Sequence, residues 1–115
     1  MNPSNPSRGE IWDLNFDPII GREQARSRPA LVLSVDLFNS GPADLIVAIP
    51  ITRTERKVRW HVPVEPPEGG LVARSFLQCE NLRSVSKRRL KRPRGRLTDA
   101  TLEQVEDRVR ILLGL

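Results

Sequence analysis

Along this chain the apolar positions fall in short runs bounded by Pro, Gly, Asn and Asp, and a helical spacing appears only in the last segment. The runs predict strands at 9–14, 30–35, 45–52, 58–64, 70–73 and 76–85. The third of these, Leu-Ile-Val-Ala-Ile-Pro-Ile, is almost wholly apolar and is expected at the centre of a sheet, with Pro50 near its end, where a missing N–H is tolerable. Residues 36–39 read as a single helical turn, and Pro66-Pro67-Glu68-Gly69-Gly70 as turn material. At the C-terminus, Leu102, Val105, Val109 and Leu112 recur at helical spacing with charged residues largely between them, which predicts an amphipathic helix. Thr98 is the expected N-cap and Asp99 puts an acid in the first turn, but the third residue on is Thr101, so the reciprocal carboxylate of a capping box is missing. Short strands followed by one helix imply a β-rich (α+β) fold, a small, partly open barrel packed on the C-terminal helix.

A length of 115 residues fits one domain spanning 1–115, with residues 1–7 expected to be flexible. There is no apolar run of about 18 residues, and the N-terminus has neither a basic nor an apolar targeting region. The expectation is no membrane association and a cytoplasmic location. With one cysteine, Cys79, and one histidine, His61, an internal disulfide, a cysteine metal cage and a two-histidine zinc site are excluded.

Charge changes the picture further. The net charge is +5, yet residues 81–98 hold eight bases and no acid, namely Arg83, Lys87, Arg88, Arg89, Lys91, Arg92, Arg94 and Arg96, leaving the rest of the chain acidic. Such a block favours polyanions, and the predominance of Arg over Lys suits the planar grip on phosphate. The bland alternative is a solvated stretch that aids solubility. With three Phe, two Trp and no Tyr, the chain lacks an aromatic strand for stacking bases, and Trp12 and Trp60 are read as core residues.

The connection between the first two predicted strands is too long and too charged for a simple hairpin, and such loops on small β scaffolds are where function sits. Ordered motifs run from before this connection to well beyond it. Arg8-Gly9-Glu10-Ile11-Trp12, Gly21-Arg22-Glu23-Gln24, Arg28-Pro29-Ala30-Leu31-Val32-Leu33-Ser34 and Pro50-Ile51-Thr52 resemble, in order and spacing, the MazF/PemK type of toxin endoribonuclease. Gly69-Gly70-Leu71, the segment from Gln78 to Val85, Arg89-Leu90 and the closing Leu112-Leu113-Gly114-Leu115 extend the resemblance over most of the chain. It implies an SH3-like barrel, a homodimer, metal-independent cleavage of single-stranded RNA, usually messenger RNA, without a cofactor, and inhibition by a cognate antitoxin. It also implies that Arg28 and Thr52 carry catalysis. Arg22 stands where the family often has a small polar residue, and Asn81 where a glutamine is frequent.

The chemistry stands beside the resemblance. RNA supplies its own nucleophile, the 2′-hydroxyl, so the protein need only orient the chain, move protons and stabilise charge. A guanidinium at Arg28 grips a phosphate in two places and Thr52 adds a hydrogen bond. Proton transfer stays open between Arg28, a poor base near neutrality, and the carboxylate of Glu23. The candidate RNA contacts are Asp17, Arg22, Gln24, Arg53, Glu80, Asn81, Arg83, Arg88 and Arg89. Each residue has a plainer reading. Arg28 would only clamp the loop through Glu23, Thr52 would only satisfy a strand end, and Glu80 and Asn81 would only decorate an edge. His61 reads as a strand or interface histidine and Cys79 as a small strand residue rather than a nucleophile. Two other functions share these features: a non-enzymatic toxin of the same fold that poisons gyrase, and a basic SH3-like adaptor that binds RNA and leaves it intact.

Overall fold

The computed structural model describes residues 5–16 and 27–115. Among the described residues, seven antiparallel strands form one curled, unclosed sheet: β1 (Glu10–Asn15), β2 (Ser27–Val32), β3 (Leu45–Thr52), β4 (His61–Val64), β5 (Ser75–Gln78), β6 (Arg83–Ser86) and β7 (Leu90–Arg96). The described residues also form two α-helices, α1 (Asp36–Asn39) and α2 (Asp99–Leu113). The strand order is β4-β5-β3-β2-β1-β7, and β6 pairs with β3. The apolar β3 is central, as its composition predicts. Its first half pairs with β6, its last two residues pair with β5, and β2 lies along its other edge.

Alternation along the strands divides the interior in two. Ile11, Leu31, Ile49 and Ile51 face one way and pack with Val62, Val64, Leu77 and the Val105–Val109 side of α2. Trp12, Leu14, Ala30, Val32, Ile46 and Ala48 face the other way and are covered by Phe16, Val85 and Leu90. A sheet with apolar side chains on both faces has to curl until both are enclosed, which accounts for the barrel-like form.

Several local expectations are corrected. Residues 70–73 are not a strand. Gly69 and Gly70 adopt φ of 67° and 70° in a 3-10 turn, Glu68–Gly70, because the chain here is pressed against β7. A Cβ on Gly70 would lie 2.1 Å from the Arg94 carbonyl oxygen. The run 76–85 is broken by a second 3-10 turn, Cys79–Asn81, and becomes β5 and β6. The fourth strand begins at His61 rather than 58, since the His61 N–H closes a turn onto the Val58 carbonyl. Trp60 therefore lies in that turn, half-buried under the Arg59 guanidinium, while Trp12 is a core residue. The basic block supplies β7, a strand that no apolar run announces, paired with β1 through two register shifts.

Residues 5–7 are tied down. The Asn5 carboxamide accepts from Lys87, and the Pro6 carbonyl accepts from the side chain of the fully buried Asn39. Thr98 caps α2, its hydroxyl accepting from the Thr101 N–H at 3.3 Å. The carboxylate missing from the local sequence arrives from elsewhere: Glu68 Oε2 accepts from the Thr98 N–H at 2.9 Å and from the Thr98 hydroxyl at 3.1 Å. That is the capping-box bond, made across 30 residues. Gly114 ends the helix in the left-handed conformation.

Candidate active cleft

A cleft of about 630 Å³ opens where the ends of β2 and β3 meet the 71–73 loop, β5 and β7. Arg28 and Thr52 both line it. β2 and β3 pair Ala30 with Pro50, and continuing that register by two residues brings Arg28 level with Thr52. Residues so placed share a face with their Cβ atoms about 5 Å apart, which is how two strands bring together side chains distant in sequence. Four arginines, Arg28, Arg53, Arg56 and Arg94, face one carboxylate, Asp13, among the described lining residues, so this part of the cleft is electropositive.

The Thr52 hydroxyl accepts from the Thr54 N–H at 3.2 Å. It thus satisfies the strand end, and its own proton remains available to a ligand oxygen, since a hydroxyl both accepts and donates. Arg28, Arg53 and Arg56 are exposed and make no ion pair with any described residue. Asp13 and Arg94 are bound to each other at 3.2 Å, and Arg92 meets the second oxygen of Asp13 at 3.0 Å.

Of the other expected site residues, Arg53 is in the cleft, and Glu23, Asp17, Arg22 and Gln24 lie outside the described residues. Glu80, Asn81, Arg83, Arg88 and Arg89 do not line the cleft. Glu80 and Asn81 sit in the Cys79–Asn81 turn, where the Glu80 carboxylate bonds His61 Nε2 at 2.9 Å. Arg83 lies over the Phe16 ring, and Arg89 donates to the Asn15 carbonyl. His61 is a strand histidine whose side chain is almost fully enclosed. Cys79 is buried, and burial pushes its thiol up to about 11. The basic block reaches the cleft through Arg94 alone among the described lining residues.

Asp13, Arg56, Gln78 and Arg94 also line the cleft, although none of them is among the expected site residues. For Asp13 a signal existed, a carboxylate set inside the otherwise apolar Ile11-Trp12-Asp13-Leu14. Arg94 could not be told from its basic neighbours, because its distinction comes from a partner 81 residues away.

Comparison with known proteins identifies the family to which this fold belongs. The endoribonuclease MazF9 of Mycobacterium tuberculosis (strain ATCC 25618 / H37Rv) is 35% identical over 113 residues, covering 94% of this chain and 96% of MazF9. The endoribonuclease EndoA of Bacillus subtilis (strain 168) is 28% identical over 109 residues, covering 94% of each. MazF in a crystal structure of MazE-MazF from Deinococcus radiodurans superposes with a TM-score of 0.80 at 30% identity, over 96% of both chains. Residues 7–113 match the model of the PemK-like, MazF-like toxins of type II toxin–antitoxin systems, and this chain belongs to that family.

Proposed function

We propose that this chain is a toxin endoribonuclease that cuts single-stranded RNA in the cleft of Arg28 and Thr52. The observation that carries the reading is the placement of those two side chains, from adjacent strands, on one electropositive cleft whose Arg28, Arg53 and Arg56 have no described carboxylate partner. The 2′-hydroxyl attacks the adjacent phosphorus, the bond to O5′ breaks, and the products are a 2′,3′-cyclic phosphate and a 5′-hydroxyl. One proton leaves the 2′-oxygen and one reaches O5′. Arg28 stabilises the charge that builds on the phosphoryl oxygens and Thr52 donates one further hydrogen bond. The reaction calls for no cofactor, because the nucleophile belongs to the substrate. Glu23 is the carboxylate reading for proton transfer, alongside Arg28 itself.

The enzyme reading prevails over the gyrase-poisoning and RNA-adaptor alternatives because both named relatives are endoribonucleases. Family membership supports control by a cognate antitoxin, and a homodimer acting in the cytoplasm is part of the same proposal. An antitoxin segment carrying carboxylates suits the cleft, since arginines arranged for phosphates accept carboxylates as well. Primer-extension mapping of a long RNA incubated with the protein and a chelator tests the proposal. Cuts at a recurring short sequence are expected, and uncut RNA overturns it.

A further inference from the structure

The cleft contains arginines of two kinds. Arg28, Arg53 and Arg56 carry full charges with no described carboxylate beside them. Arg94 is different: its Nη1 donates to Asp13 Oδ1 at 3.2 Å and its Nη2 to the Gly70 carbonyl at 3.2 Å. Asp13 is itself fixed, with Arg92 Nε on its other oxygen at 3.0 Å and only 11% of its side chain exposed. The turn at Gly70 lies directly against the Arg94 backbone, so the guanidinium is held from two sides. Asp13 is registered opposite Pro29, the residue after Arg28, which puts the pair beside the Arg28–Thr52 centre.

A phosphate approaching Arg94 would meet the Asp13 carboxylate as well, and like charges at that range repel. A neutral group presenting a donor next to an acceptor meets no such conflict. Each carboxylate oxygen has a second lone pair, and the guanidinium has further N–H groups, so acceptor and donor stand side by side in a fixed geometry. We propose that Asp13 and Arg94 form a base-reading subsite, taking the hydrogen-bonding edge of one unpaired nucleobase next to the scissile phosphate, while the arginines without partners hold phosphates. The subsite rests on the reading of the cleft as the place where RNA is cut. It makes Asp13 and Arg94 determinants of cleavage sequence rather than of turnover chemistry.

The test uses single-stranded decamers of A, C or U with 2′-fluoro sugars, which bind but lack the nucleophile. Affinities are measured at several salt concentrations for the wild type, Asp13→Asn, Arg94→Lys and Arg94→Gln, each checked for cooperative thermal unfolding. The wild type is expected to discriminate among the three bases, and Arg94→Lys, which keeps the charge and loses the planar fork, to narrow that spread by about tenfold. Asp13→Asn is expected to narrow it too and to steepen the log–log salt dependence by about 0.7, because the freed guanidinium can now take a phosphate. Should Asp13→Asn fail to fold, the Arg94 variants decide.

Three results overturn the subsite. One is a wild type with no base preference, another is a preference that survives in both Arg94 variants, and the third is a salt slope that flattens by about 0.7 in Arg94→Gln, the mark of a phosphate contact. Because these decamers cannot be cut, a wild type that selects among them yet leaves ordinary RNA intact would sink the endoribonuclease proposal and the cleavage role of the subsite, whereas a wild type that cuts RNA but shows no base preference here would sink the subsite alone.

Discussion

Arg28 and Cys79 illustrate how surroundings decide what a reactive side chain does. Arg28 stands exposed at the cleft with no described carboxylate beside it, and in the proposed reaction it faces a phosphoryl group that gains negative charge. Losing one such group typically costs about 100-fold to 1000-fold in rate. Arg28→Ala is therefore expected to lose turnover of that order in single-turnover assays at saturating RNA, with a much smaller loss of affinity. Near wild-type turnover would remove Arg28 from the chemistry. Cys79 has the opposite fate. It has no accessible surface, and burial, assisted by the nearby Glu80 carboxylate, lifts its thiol to about 11. The thiolate is the reactive form, so the folded protein is expected to resist thiol-directed alkylation at pH 8 while the denatured chain reacts. The raised value also sets a direction with pH. An unfolded thiol titrates near about 8.5, so Cys79 favours the folded state below that pH, and this contribution is lost as pH rises toward about 11. Denaturation midpoints falling across that alkaline window are the expected readout, and Cys79→Ala should weaken the fall.

At the scale of elements, the Glu68–Gly70 turn shows how much depends on two glycines. Gly70 combines φ of 70° with the approach that would place a Cβ 2.1 Å from the Arg94 carbonyl oxygen, so an added methyl meets backbone that cannot step aside. Gly70→Ala is expected to cost more than about 1 kcal/mol in chemical denaturation, beyond the ordinary effect of removing a glycine's freedom. A variant as stable as the wild type would mean that the turn re-forms away from β7. The same turn explains why a strand at 70–73 was a false expectation, since Leu71 and Val72 have strand-forming side chains but follow two residues held at positive φ. Elsewhere β3 and α1 coincide with their expected bounds, because apolar composition in the one case and a short polar-flanked turn in the other are local properties. β7 leaves no such trace in the sequence, for the opposite reason. Its residues, Leu-Lys-Arg-Pro-Arg-Gly-Arg, bury little, and they form a strand because β1 offers an edge and Asp13 pairs with two of the arginines. Pairing of that kind is fixed by partners about 80 residues away and leaves no period to read.

For the molecule as a whole, folding redistributes the charge that the linear order concentrates. Arg92 and Arg94 pair with Asp13, Arg96 donates to the Arg8 carbonyl, Lys87 donates to Asn5, and Arg89 donates to the Asn15 carbonyl. Arg88 and Lys91 have no described side-chain partner and are exposed. Those two are therefore available to the phosphates of an RNA that crosses this side. Replacing both with Gln is expected to flatten the salt dependence of RNA binding by about 0.7 per lost contact, and an unchanged slope would show that the strand leaves by another path. The site was legible in the same uneven way. Arg28 and Thr52 belong to ordered motifs and meet through simple strand register, whereas Asp13 and Arg94 acquire their meaning only from each other.

Glu68 gives the molecule one more property, which concerns timing. Its carboxylate holds the first N–H of the α2 cap, and the turn it begins leads straight into Leu71, Val72 and Ala73 along the cleft. A helix start and a cleft wall latched by one side chain should open as a single event. In amide hydrogen exchange, Thr101 and Leu71 should thus report a common opening rate in the wild type. Glu68→Ala, at a capping cost of about 0.5–2 kcal/mol, should speed exchange at both by a factor of about 2 to 30 and let their rates diverge. The wall that shapes what enters the cleft would then breathe on its own clock, free of the helix that now keeps time for it.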